Sequence, residues 1–473
     1  MLSKCLLVAT HDDEVRMTCA AFEMVLRASP RTVQLAYGKV GGTSLIMNLL
    51  RILERCEITM SMNHAEISIL NINKVLAYLS RCPEARPSLS RQQGVLESLT
   101  RVATTSSAEC RMARMRCLAN LANCEENKVL LYEHEGLVPA VVRIAHLDDS
   151  ELARQHAAAV LMDLASAPQN QVSMASDDRV LGCLVKMTLV EKATSTRESV
   201  ITALQNLAFC KESRNRLVSF KDGVLLEALR NALASDSDAK ARRRAAGALT
   251  NLVCEDTAER MGRQKGLLDT LAVVTTKDDN SDVQTRASLA LTKIANLITV
   301  RMECHETLLD ALVVASLSKA NNSVSAVLRI KARDADNRER MARHPGVMDT
   351  LADICVSDAA RVGDRDNAMR AIMHLINEDR NRKILCNKTV LDALVAGANY
   401  REPDLEEARD SAVRAMERLA TEHTNRETMA RHPGLLTAVA QAVEREAKWE
   451  DAGRESEHGY LAKPLLMSLL VAM

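Results

Sequence analysis

A glycine followed by two apolar residues returns along this chain at nearly constant intervals. It reads GVLESL at 94, GLVPAV at 136, GVLLEAL at 223, GLLDTL at 266, GVMDTL at 346 and GLLTAV at 434. RVLGCL at 179, TLLDAL at 307 and TVLDAL at 389 hold the same place without the glycine, and GTSLIM at 42 is a looser copy. The intervals are 52, 42, 43, 44, 43, 41, 39, 43 and 45 residues, so after the first the period is near 43. A constant period means one supersecondary unit stacked on copies of itself, each burying its apolar face against its neighbours. The closest echo, NRERMARHPG at 337 and NRETMARHPG at 425, lies 88 residues apart, which is two periods.

The unit is helical. In VLLEALRNALAS, Leu225, Ala228, Leu229 and Ala232 share one face; in DAKARRRAAGALTNLV, Ala241, Ala245, Ala248, Leu249 and Leu252 do the same. Both stripes follow the i, i+3, i+4, i+7 spacing of an amphipathic helix. SRNRLVSFKDG before them supplies a short helix and a glycine turn, so each unit holds one short and two longer helices. No stretch alternates long enough for a strand. Aromatic residues make up 2% of the 473, so the core is built from Leu, Ala, Val and Met, a palette that suits helices better than sheets.

Three helices per 43 residues resemble the armadillo repeat. The features that carry the resemblance are an Asn ahead of the first helix (Asn127, Asn215, Asn337, Asn381, Asn425), the Gly after it and Pro139 three residues beyond Gly136. The closing A-L-x-N-L is the other: Ala248-Leu249-Thr250-Asn251-Leu252 and Ala203-Leu204-Gln205-Asn206-Leu207. The resemblance implies an all-α, right-handed armadillo-repeat superhelix, an α-solenoid, over nearly the whole chain. The expected organisation is partial or irregular repeats over 1–58, an array of about nine repeats over 59–445, and a docking or capping tail over 446–473. LLVATHDDEVRMTCAAFEMVL at 6–26 matches the interior of a later repeat, so upstream sequence or another surface is expected to cover that end. The repeat between Thr307 and Gly346 is short.

Within NRExMARHPG each residue has a structural reading. Asn337 and Asn425 are expected as helix N-caps, Arg343 and Arg431 oppose the helix dipole, and His344 and His432 precede a proline that drives them out of helical geometry. His134, His305, His344 and His432 all stand two residues before the glycine position, where other repeats carry Gln92, Asp177 or Lys221, so this is a polar loop position. Cys82, Cys124 and Cys210 share a register, with Cys254 one residue off, and are expected as small inert thiols near a helix end. The 13 cysteines show no CxxC pairing and no His/Cys cluster at metal spacing, so the expectation is reduced thiols in the cytoplasm or nucleus and no metal. There is no nucleophile elbow and no phosphate loop. Neither an enzyme nor a cofactor nor a small-molecule substrate is expected. No apolar run reaches the roughly 18 residues of a membrane span.

Acidic and basic residues balance at 62 each, so a global pull toward nucleic acid is absent. Locally the balance breaks. In the resembled family the third helices line a groove, and the Asn of A-L-x-N-L bonds the backbone of an extended peptide. Its equivalents here are Val25, Tyr78, Asn120, Asp163, Asn206, Asn251, Lys293, Arg329, His374 and Arg418. One turn earlier stand Arg116, Ala159, Thr202, Gly247, Leu289, Ser325, Arg370 and Arg414. The importin alpha pattern also needs Trp there, and the chain's one Trp, Trp449, lies outside the array. A basic column resembles instead the way beta-catenin-like grooves hold acidic segments. The expected function is a non-catalytic protein-interaction scaffold or adaptor. It would bind an extended acidic segment through Arg116, Asn120, Asn206, Asn251, Lys293, Arg329, Arg370, His374, Arg414 and Arg418. The alternative is a nucleic-acid or phosphate ligand on the basic C-terminal half of the groove, which scarce aromatics and neutral charge disfavour. Lys240 with Arg242, Arg243 and Arg244 is a second basic cluster, read as a solvated helix start.

Overall fold

The computed structural model describes residues 62–101, 107–298, 308–316, 324–451 and 461–472, with scattered positions between 14 and 51. Among the described residues the regular structure is α-helix and short 3₁₀-helix, with no strand. The expected repeats of 1–58 and the loop histidine His305 fall largely or wholly outside these residues. The contacts divide the chain into two compact units, Met1–Leu252 and Val253–Met473.

In the first unit the helices used below are α1 (Met62–Leu79), α2 (Ala108–Ala122), α3 (Leu137–Leu147), α4 (Glu151–Ser166), α5 (Asp178–Val190), α6 (Thr194–Phe209), α7 (Val224–Ser235) and α8 (Ala239–Leu252). Helices α1, α2, α4, α6 and α8 are the third helices of successive repeats and pack one on the next. Their inner stripes are sealed: Leu118, Leu121, Leu161, Leu164, Leu207 and Leu249 are fully buried. Each such leucine stabilises its repeat by about 2–5 kcal/mol against alanine. Starts are set by side chains, with Ser107 accepting from the Cys110 N–H and Ser150 from the Ala153 N–H. The glycine that defines the period takes left-handed backbone, φ +80° at Gly136, which a side chain would resist.

The second unit contains α9 (Ser281–Leu297), α10 (Val324–Arg333), α11 (Ala335–Arg343), α12 (Val347–Val356), α13 (Val362–Ile376), α14 (Glu406–Ala420), α15 (His423–Ala430), α16 (Leu435–Asp451) and α17 (Ala462–Leu470). In the short repeat read from the spacing, the described residues of the third helix are the 10 of α10. Helix α17 packs on α14, α15 and α16, burying Ala462, Leu465 and Leu469. Its entry is held by the Glu446 carboxylate, which accepts from the Leu461 and Ala462 N–H groups at 3.0 and 3.1 Å.

One expectation is corrected. The asparagines read as N-caps lie inside the first helices or at their base and act as donors. Asn381 Nδ2 donates to Leu375 O at 2.9 Å, closing the end of its own repeat's third helix, and to Arg338 O of the preceding repeat at 3.1 Å. Asn127 and Asn425 make the same two kinds of bond, and all three are buried. The N-cap of α11 is Asp334, three residues before Asn337. Asn215 does not belong to this set: it is exposed, and the buried position is Ser213. The loop Phe220–Gly223 carries an extra residue, with Lys221 and Asp222 in left-handed backbone, and this shifts the count back from the glycine. The Arg that follows the asparagine also acts locally. Arg338 and Arg426 donate Nε to Ala332 O and Ala420 O at 3.2 and 2.7 Å, cations at the C-terminal ends of the preceding helices.

Candidate functional site

Three side chains of the expected column in the first unit already serve the fold. Asn120 Nδ2 donates to Ala77 O at 3.2 Å and Ser80 Oγ at 3.0 Å, and Asn206 Nδ2 to Met162 O at 3.3 Å. Each ties its third helix to the one before. Arg116 covers the Tyr78 ring at 4.9 Å. Asn251 differs, its Nδ2 being buried and without a hydrogen-bond partner among the described residues. Asp163, in the same column, is pushed up to about 6 by burial, with Lys128 and Arg86 acting against the shift.

Apart from Arg116, the basic positions of the column lie in the second unit, and they divide into two groups. Arg370 is neutralised by Asp366 at 2.9 Å and by Glu407. Arg414 donates Nε to Asp410 O at 3.3 Å, and Arg418 stands 3.7 Å from Glu417. Lys293 and Arg329 belong to the other group. No carboxylate pairs with either among the described residues, Lys293 is exposed, and the Arg329 Nε is buried without an acceptor. Arg333, four residues after Arg329 and therefore on the same face of α10, is exposed and likewise has no acidic partner among the described residues.

His374 on α13 registers this environment. Burial first, and then the charges of Arg338, Arg333, Arg329 and Arg370, push its imidazole down to about 4. At neutral pH it is therefore an uncharged ring, half-buried among cations. Arg333 and Arg338 were not in the column read from the sequence. Arg333 was legible as the i+4 neighbour of Arg329, and Arg338 as the residue after each first-helix asparagine.

The other singled-out positions are structural. His344 Nε2 lies 3.1 Å from Asp310 of the preceding repeat, and His134 Nε2 lies 3.8 Å from Glu97. Cys124, Cys210 and Cys254 are N-caps of first helices and only half-buried, and the Cys210 thiol donates to Glu212 at 3.0 Å. In the basic cluster at 240–244, Arg242 Nη1 donates to Asp236 O at 2.9 Å and Arg244 Nη1 to Gln205 Oε1 at 3.3 Å. Among the described residues no group of His, Cys, Asp and Glu side chains could hold a metal ion, and no helix is long and apolar enough to cross a membrane.

No protein-family model matches the chain. Comparison with the curated proteins finds no match. Solved structures do match. The chain is similar to an engineered protein from a structural genomics consortium, with TM-score 0.56 and 19% identity over 88% of this chain and 98% of that one. It is similar, with TM-score 0.53 and 14% identity over 100% of this chain and 99% of that one, to a structure from work on a conserved phosphorylation switch. That switch controls the interaction between cadherin and beta-catenin. A shorter match, TM-score 0.43 at 18% identity over 53% of this chain and 98% of that one, is to a designed armadillo repeat protein in complex with the peptide (KR)4. Identities this low establish fold and leave function to be argued from the site.

Proposed function

We infer that this chain, whose fold is all-α and armadillo-repeat-like, is a non-catalytic scaffold. Its second unit would hold an extended acidic segment of a partner protein on the face formed by third helices α9, α10, α13 and α14. The observation that carries this reading is the pair Arg329 and Arg333 on one face of α10, neither with a carboxylate partner among the described residues, both acting on the half-buried His374 ring. Like charges held together cost free energy unless an anion relieves them. Arg329, Arg333 and Lys293 supply donors that carboxylates can accept, and Arg–carboxylate bonds are among the stronger ones available. Arg370, Arg414 and Arg418, already beside acids or backbone acceptors, contribute less than their place in the column suggests.

An array of extended peptides, differing only in acidic, neutral or basic flanks, tests the reading. The full chain is expected to retain acidic peptides, and Arg329→Gln with Arg333→Gln to lose them while helicity is unchanged. Equal retention of acidic and basic peptides would overturn it. So would salt-sensitive retention of generic RNA in preference to any peptide.

A further inference from the structure

The first unit carries a second feature, on its second helices, that the proposed function does not use. An open groove of about 620 Å³ runs between α3 and α5, with Phe220 and Lys221 also among its lining residues. Its rims expose Leu147, Leu189 and Val190, the last at 62%. Most second helices carry an exposed acid two residues before a buried leucine: Glu97, Glu227, Asp269, Asp310, Asp349 and Asp392. In α3 and α5 that position is Pro139 and Gly182, and both line the groove. In three of these the acid meets the histidine of the following repeat: Glu97 with His134, Asp310 with His344 and Asp392 with His432. Where the acid is missing the bridge is missing too, and apolar surface is left open.

Gly182 sharpens the point. It lies in the middle of α5, where glycine costs about 1 kcal/mol against alanine, and a Cβ added there would meet nothing within 4 Å. Packing inside the unit therefore gives no reason for its smallness. The charges around the groove are one-sided as well. Asp178 is paired with Arg216, and Arg179 with Asp177. Lys186 Nζ lies 3.0 Å from a ring nitrogen of His146, and Lys221 lies over the Phe220 ring. Arg143, Lys186 and Lys221 have no carboxylate partner among the described residues, so the unbalanced charge is positive.

We propose that the groove between α3 and α5 is a docking site for an amphipathic helix of a partner protein, one whose apolar stripe is flanked by Asp and Glu. The walls are helices with no free backbone edge, so an extended peptide would bring its own N–H and C=O groups into apolar surroundings unsatisfied. A helix satisfies them internally, lays its stripe into the trough, and sets its carboxylates against Arg143, Lys186 and Lys221. Helix α5 has 13 residues, about 20 Å, which matches about four turns of partner. This proposal stands apart from the one above, since it concerns the other unit and other helices.

The test is selection from a displayed library of helical peptides of about 14 residues, a length matched to the groove, on the full chain. Selected peptides are then titrated against Gly182→Leu, which fills the groove from a position with free space and raises helix propensity. The expected result is enrichment of peptides with apolar residues at i, i+3, i+4 and i+7 beside Asp or Glu. Gly182→Leu should weaken them by about tenfold or more, and Arg143→Glu with Lys186→Glu should reverse the charge preference. Arg329→Gln with Arg333→Gln should leave binding unchanged. No enrichment would overturn the proposal, as would undiminished binding to Gly182→Leu at unchanged helicity, or enrichment of basic or proline-broken peptides. Self-association of the wild type that Gly182→Leu abolishes would replace the partner helix by a second copy of this chain, and would also overturn it.

Discussion

At the scale of single residues, the side chains that looked like ligands and those that hold the fold have partly changed places. Asn425 of NRETMARHPG, like Asn127 and Asn381, is a buried double donor that joins two repeats. Replacing Asn381 with leucine leaves two carbonyls, Leu375 O and Arg338 O, without their donor. The expected loss is about 2–4 kcal/mol of stability by denaturant titration, from unsatisfied buried acceptors. Replacing the exposed Asn215 the same way should cost less than about 0.5 kcal/mol. His374 gives a second prediction. A base whose value is lowered in the folded state binds its proton more readily unfolded. Acidification from the ordinary 6.5 toward about 4 therefore erodes the stability of the second unit. A proton NMR titration should find the His374 ring titrating near 4, and Arg329→Gln with Arg333→Gln should move it upward. Because burial is the larger cause, the value should stay below 6.5.

At the scale of helices and loops, an ion-pair ladder that was not read from the sequence ties the first unit together. Arg111, Arg154 and Arg197, one per third helix, reach Asp148, Glu191 and Asp236 of the following repeat at 2.5, 2.7 and 2.8 Å. The acids are nearly buried, so an unpaired one is costly. Arg154→Met should destabilise the first unit by about 3 kcal/mol through the stranded Glu191, measured by thermal or denaturant unfolding. The hydrogen bond from Arg154 holds the Glu191 carboxyl below its ordinary 4.5. That contribution is whole above 4.5 and is lost as pH falls through the lowered value. The spacing of those arginines, 43 residues each, was as visible as the glycines. Helix type, order and register were legible, because the leucine stripes and left-handed glycines are local signals. The shift at Asn215 was not, since an extra residue accommodated at Lys221 and Asp222 leaves the apolar pattern intact.

At the scale of the whole molecule, a formal charge of zero hides an uneven division. Among the column positions the asparagines belong to the first unit and, apart from Arg116, the cations to the second. The sequence located the cations but not which of them already had partners, because pairing of Arg370 with Glu407 crosses between repeats and has no local signature. The central claim is that unpaired cations around His374 receive acidic protein. It is tested most directly by fluorescence anisotropy, titrating the full chain into an extended acidic peptide selected on the array, against Arg329→Gln with Arg333→Gln. The account predicts at least about tenfold weaker binding for the double variant, roughly 1.4 kcal/mol, with equal helicity and an upward shift of the wild-type His374 titration on binding. Equal affinity for the two proteins would contradict it.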